Sequence, residues 1–162
     1  MVRAMRFVDP GVGTVNEGYL LEVLNAHGTL IASGREICYR QQFGPADERF
    51  IGDAFGLFEA DGLRSLVGIE IKDWSAPVTP KIAREYLETY GRSCDFVYLA
   101  ARRFLPGVAS VRDLGLINLD GPKVRKAAGR LKPDRQGWEF VVRQMGDEGP
   151  VLHPRQRRLT DG

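Results

Sequence analysis

The sequence predicts an α/β fold, a mixed central sheet flanked by helices. Three observations lead there. Strand-like runs occupy 35–43, 49–60 and 65–74; amphipathic segments with helix-cap signatures lie before and after them; and two short apolar runs, 96–101 and 114–119, follow the second helical segment. An order of helix, three strands, helix, strand, strand buries its apolar faces most simply as a sheet with helices against it.

The first helix opens at Thr14 with a capping box, Thr14-x-x-Glu17, continues through Tyr19, Leu20, Val23 and Leu24, and closes at Gly28. Of the strands that follow, the last two are joined by Asp61-Gly62, a two-residue hairpin turn that sets their register. If Ala60 pairs with Leu63, Asp53 comes opposite Glu70 and Ile51 opposite Lys72. A second helix starts at Thr79-Pro80, cap and first helical position, and ends near Gly91. Its apolar stripe is Ile82, Ala83, Tyr86, Leu87 and Tyr90, flanked by Lys81, Arg84, Glu85 and Glu88. Val124, Ala127, Ala128 and Leu131 give the basic segment 122–131 roughly helical spacing, and 138–145 fits strand or helix equally well. At 162 residues the chain suits one core. We place a single domain over 1–145 and a basic, flexible tail over 146–162.

Apolar runs are broken by charge well short of membrane-spanning length, so neither a membrane nor a secreted setting is expected. Cys38 and Cys94 are far apart and in no C-x-x-C spacing, which argues against a disulfide framework or zinc knuckle and for a cytoplasmic location. The net charge of +2 conceals an asymmetry: 10 Lys/Arg against 14 Asp/Glu over 1–95, and 13 against 7 over 96–162. The basic part carries Arg102, Arg103, Lys123, Arg125, Lys126 and Arg130. Clustered cations of this kind suit a phosphate backbone, because neutralised phosphates release condensed counterions.

The hairpin register carries the chemistry. Opposed residues of an antiparallel pair share a face, and Lys72, two along from Glu70, shares it too. Two carboxylates and an ammonium therefore converge, while Val67, Ile69 and Ile71 anchor the opposite face and the charged end is expected to stay accessible. Opposed like charges destabilise a ladder, and a hard divalent cation held by both carboxylates offsets that. Lys72 then remains to polarise a water and to neutralise a phosphorus transition state. The bland alternative is an exposed Glu-x-Lys surface pair.

Residues 14–104 together resemble the PD-(D/E)XK nuclease superfamily, with its restriction-endonuclease-like αβββαβ core, and especially its small Holliday junction resolvase-like members. The resemblance rests on Glu17 in the first helix, Asp53 on the second strand, Glu70-Ile71-Lys72 on the third, and the helix and strand that follow. It implies Mg²⁺ or Mn²⁺ bound by Asp53, Glu70, the Ile71 carbonyl and Glu17. Asp53, Glu70 and Lys72 would be catalytic, cutting DNA to a 5′-phosphate and a 3′-hydroxyl. Gly52 stands where the signature has proline, and no Gln occurs on the second helix, where Arg84, Glu85 or Glu88 is the available substitute. Glu17 also has a capping job.

Other motifs are weaker. His27 and His153 lack partners at metal-ligand spacing, Gly11-Val12-Gly13 lacks the remainder of a phosphate loop, and no G-x-S-x-G elbow is present. Trp74, Tyr86, Tyr90 and Trp138 could stack on bases, although aromatic residues at helical spacing more often fill a core. The expected partner is DNA, gripped by the basic segment, with a homodimer supplying two sites for two strands. The competing expectation is a catalytically silent nucleic-acid-binding or assembly module that keeps the fold.

Overall fold

The computed structural model describes residues 17–41 and 48–147. Thr14, the Gly11-Val12-Gly13 run, His153 and the basic tail beyond Asp147 lie outside them, as does the side chain of Glu17. Helix α1 (Glu17–Glu22) is followed by a short 3-10 turn, Asn25–His27, and by Gly28 at φ 114°. Strands β1 (Thr29–Gln41), β2 (Glu48–Ala60) and β3 (Leu63–Lys72) come next, then α2 (Pro80–Gly91), β4 (Phe96–Ala101), β5 (Leu114–Asn118), β6 (Lys123–Lys126) and α3 (Arg135–Asp147).

The six strands form one mixed sheet in sequence order. β1, β2 and β3 are antiparallel neighbours, β3, β4 and β5 run parallel, and β6 returns antiparallel on β5. Asp61 and Gly62 both adopt positive φ, 53° and 79°, as the two-residue turn requires, and Ala60 pairs with Leu63. The register then runs without slip to Ala54 opposite Ile69.

Two apolar layers sandwich the sheet. Leu20, Leu21 and Leu24 press on Ala54, Phe58, Val67, Ile69 and Ile71, while Ala83, Tyr90, Val141 and Met145 press on Phe55, Leu66, Val97 and Leu99 from the other side. α1 therefore covers one face, and α2 and α3 cover the other. Thr79 caps α2 by accepting from the Ile82 N–H at 3.2 Å, with Pro80 in the first turn.

Two expectations are corrected, and one left open is resolved. β1 begins at Thr29 rather than at 35, immediately after the Gly28 turn. Segment 122–131 is not helical: its first part is β6, and the rest is irregular. The open edge of β5 offers a ladder of backbone partners, and a segment this short with Gly129 inside it nucleates a helix poorly. Val124 and Lys126 alternate inward against the more exposed Lys123 and Arg125, so the sheet ends on a short cationic edge. The ambiguous run 138–145 is helical, and α3 continues past residue 145 to Asp147.

Candidate functional site

The turn register delivers Asp53, Glu70 and Lys72 to the face covered by α2. Their surroundings are dry: Asp53 and Glu70 are 0% exposed and Lys72 is 3% exposed. The expectation of an accessible charged end is therefore corrected, and so is that of a surface Glu-x-Lys pair. The parallel partner β4 and the overlying α2 close the site from the side and from above.

A buried charge needs a hydrogen-bond partner or an opposite charge, and each of these groups has one. Lys72 Nζ lies 2.7 Å from Glu70 Oε2. The same ammonium sits over two aromatic rings, 4.5 Å from the Tyr86 centroid and 4.9 Å from that of Trp74. The β2–β3 ladder ends at Ala54 and Ile69, one residue short of Asp53, whose Oδ2 accepts from the Ile71 N–H at 2.8 Å. The acid on one strand thus clamps the backbone between the acid and the lysine on the next.

Tyr90 ties the set together. Its hydroxyl accepts from the Asp53 N–H at 2.8 Å and donates to Glu70 Oε1 at 2.7 Å, with the Ile69 carbonyl 3.2 Å away. Burial, followed by the negative charges of Glu70 and Asp53, pushes its pKa well above the usual tyrosine value, so it stays a neutral donor. A glycine makes this position possible: a Cβ at Gly68 would come within 2.5 Å of the Tyr90 ring and 2.8 Å of Cys94 Sγ. Gly52 has a similar reason, since a Cβ there would meet the Phe55 ring at 2.1 Å, which also explains why a proline ring does not fit before Asp53. Arg84, Glu85 and Glu88 are exposed on α2, so the polar group that this helix turns toward the acids is the tyrosine hydroxyl. Sequence spacing had placed Tyr90 in the core stripe. Its signal was the pairing of a small residue, Gly68, with an aromatic residue on the following helix.

A hard cation would find two carboxylates here, a donor set that fits Mg²⁺ or Mn²⁺ chemically. Among the described residues no group of three or more His, Cys, Asp or Glu side chains gathers as a metal cage. Glu70 already serves Tyr90 and Lys72 through its two oxygens, so cation binding at Glu70 requires either shared lone pairs or release of Lys72.

The basic residues do not form one continuous surface. Arg102, Arg103, Arg125 and Lys126 line a groove of about 610 Å³ at the carboxyl ends of β4 and β5. It begins one residue beyond the rung that pairs Lys72 with Ala101. Arg102 bridges Asp73 at 2.5 Å and Asp120 at 2.7 Å, and these carboxylates hold its pKa above the usual arginine value. Arg103 donates to the Ser75 carbonyl, and Lys126 Nζ to the carbonyls of Ala109 and Val111, both at 2.7 Å. Lys123 and Arg125 are exposed on the sheet edge. Arg130 lies elsewhere, over the Phe96 ring at the opposite end of β4, within 3.6 Å of Asp95. Trp138 donates Nε1–H to Asp95 at 2.8 Å.

No protein-family model matches the chain, and no curated protein does. Among solved structures it is similar to a protein of unknown function from Silicibacter pomeroyi, at 21% identity and a TM-score of 0.53 over 82% of each chain. That likeness concerns the fold. No described helix is long and apolar enough to cross a membrane.

Proposed function

We propose that the chain is a metal-dependent endonuclease of the PD-(D/E)XK type, built on a restriction-endonuclease-like αβββαβ core and acting on DNA. The observation that carries this reading is the convergence of Asp53, Glu70 and Lys72 on one face of β2 and β3, where the acids and the amine are held within one hydrogen-bonded set. Support also comes from the cationic groove at the carboxyl ends of β4 and β5, which starts at Arg102, one residue past the strand partner of Lys72. Asp53 and Glu70, with the Ile71 carbonyl, would hold Mg²⁺ or Mn²⁺. A cation there supplies Lewis-acid polarisation of a phosphate oxygen and a water acidic enough to attack phosphorus. Tyr90 fixes the orientation of the Glu70 carboxylate. Lys72, once released from Glu70, offers its ammonium to the developing charge in a site from which water is largely excluded. The arginines of the groove position the backbone and contribute little sequence reading.

A second reading has its own observation: the three groups are buried and held by bonds within the protein, Lys72 to Glu70 and Asp53 to the Ile71 N–H, as in a silent nucleic-acid-binding or assembly module. One experiment separates the two. Labelled duplex, nicked, flapped, single-stranded and four-way DNA are incubated with Mg²⁺ or Mn²⁺ and wild type, Lys72→Ala or Glu70→Gln. Circular dichroism melting of each protein runs in parallel, because removing Lys72 leaves Glu70 without its buried ion pair. Cutting by wild type that a folded variant loses by about a hundredfold or more supports the nuclease. Binding without cutting by wild type establishes the silent module.

A further inference from the structure

The groove beside the site has a wall that phosphate alone does not explain. Besides its four cations it is lined by Phe104, Leu105 and Pro106, with Pro77 and Leu116. Leu105 is 39% exposed, one of three large hydrophobic residues left exposed among the described residues. The wall is also firmly built. Val78 and Phe104 form an isolated parallel bridge, the Val78 N–H donates to the Arg103 carbonyl at 3.0 Å, and the Leu105 N–H donates to the Val78 carbonyl at 2.9 Å. Apolar surface held in a cationic groove is left facing water unless the occupant brings both charge and an apolar face.

Duplex DNA presents hydrated phosphate and sugar, and keeps the flat faces of its bases stacked on one another. An unpaired nucleotide presents both. Its phosphate suits Arg103, Arg125 and Lys126, and its base face suits Phe104 and Leu105. We infer that the groove takes an unpaired strand, so that the substrate class is single-stranded or flapped nucleic acid with an unpaired nucleotide seated next to the Lys72 end of β3. This inference rests on the nucleic-acid reading of the basic groove, and it narrows that reading to a strand geometry.

The test is binding without chemistry. In EDTA and at one moderate salt concentration, fluorescence anisotropy compares a single-stranded DNA of about 12 nucleotides with the blunt duplex of the same sequence. Wild type should bind the single strand about tenfold more tightly or better. Leu105→Ser, at a partly exposed position whose backbone hydrogen bond is unaffected, should weaken single-strand binding about fivefold and leave duplex binding unchanged. Arg125→Ala should weaken both and flatten the salt dependence of both. Duplex binding as tight as single-strand binding, or a Leu105→Ser protein that matches wild type, overturns the inference and leaves the cleavage result standing. Failure of both DNAs to bind overturns it together with the nucleic-acid reading itself.

Discussion

Tyr90 shows how much a single atom organises here. Its hydroxyl touches the backbone of β2 and the Glu70 carboxylate of β3, so it sets the distance between the two acids as well as the orientation of one. Tyr90→Phe keeps the ring against Gly68 and removes only that oxygen. Loss of the bond from the Asp53 N–H and of the bond to Glu70 should cost about 1–3 kcal/mol, read as a lower urea midpoint at constant slope. On the proposed nuclease reading, metal-dependent cleavage should fall further than stability accounts for, because the donor that orients Glu70 is gone. A midpoint within about 0.5 kcal/mol of wild type would mean that the hydroxyl does not hold the network. Asp53, Glu70 and Lys72 themselves were legible in the sequence, because a two-residue turn and a period of two suffice to place them on one face. Their burial was not legible. It depends on α2 lying across that face, a tertiary fact that no strand pattern encodes.

At the scale of elements, β3 is the centre of the molecule, paired with β2 on one side and β4 on the other, with helices above and below. Its alternation divides apolar Val67, Ile69 and Ile71 from Glu70 and Lys72, and Gly68 is the point where α2 comes closest. Gly68→Ala places a methyl group within contact-breaking distance of Tyr90 and Cys94, both fully buried, so the helix must shift. Overpacking of this kind costs about 1–3 kcal/mol. It should also displace the Tyr90 hydroxyl from Glu70, so thermal stability and, on the proposed nuclease reading, cleavage should fall together. A variant as stable as wild type would show that α2 yields more readily than this packing indicates. Strands β2 to β5 and helix α2 were readable because turn chemistry, caps and periodicity agreed there. β6 was misread because Val124, Ala127, Ala128 and Leu131 mimic helical spacing, which masked the short antiparallel return of Lys123–Lys126 onto β5 just before it.

For the whole molecule, buried titratable groups define the pH range in which the fold is intact. His27 is half-buried against Phe96, Phe58 and Tyr98, with Nε2 2.7 Å from the Tyr98 hydroxyl; burial first, then Arg130, holds its pKa below the usual 6.5. Just below that value the unfolded chain binds more protons than the folded one, so stability rises with pH there and is lost as pH falls. At the other end the order is reversed. Burial, aided by Asp95, raises the Cys94 thiol well above its usual 9.0, and burial likewise raises Tyr90 and Tyr98 above 10.0. The folded chain keeps protons that the unfolded chain releases, so this contribution is complete below about 9 and declines as pH rises. The melting temperature should therefore be level from about pH 6.5 to about 9 and fall on both sides. His27→Leu should flatten the decline between about pH 6.5 and 5.5, before the carboxylates titrate, and Cys94→Ala should delay the alkaline decline toward pH 10. If the acid limb of His27→Leu matches that of wild type, other groups govern it. Comparisons of Lys72, Glu70 and Tyr90 variants belong inside the plateau, because outside it a lost fold is indistinguishable from lost chemistry.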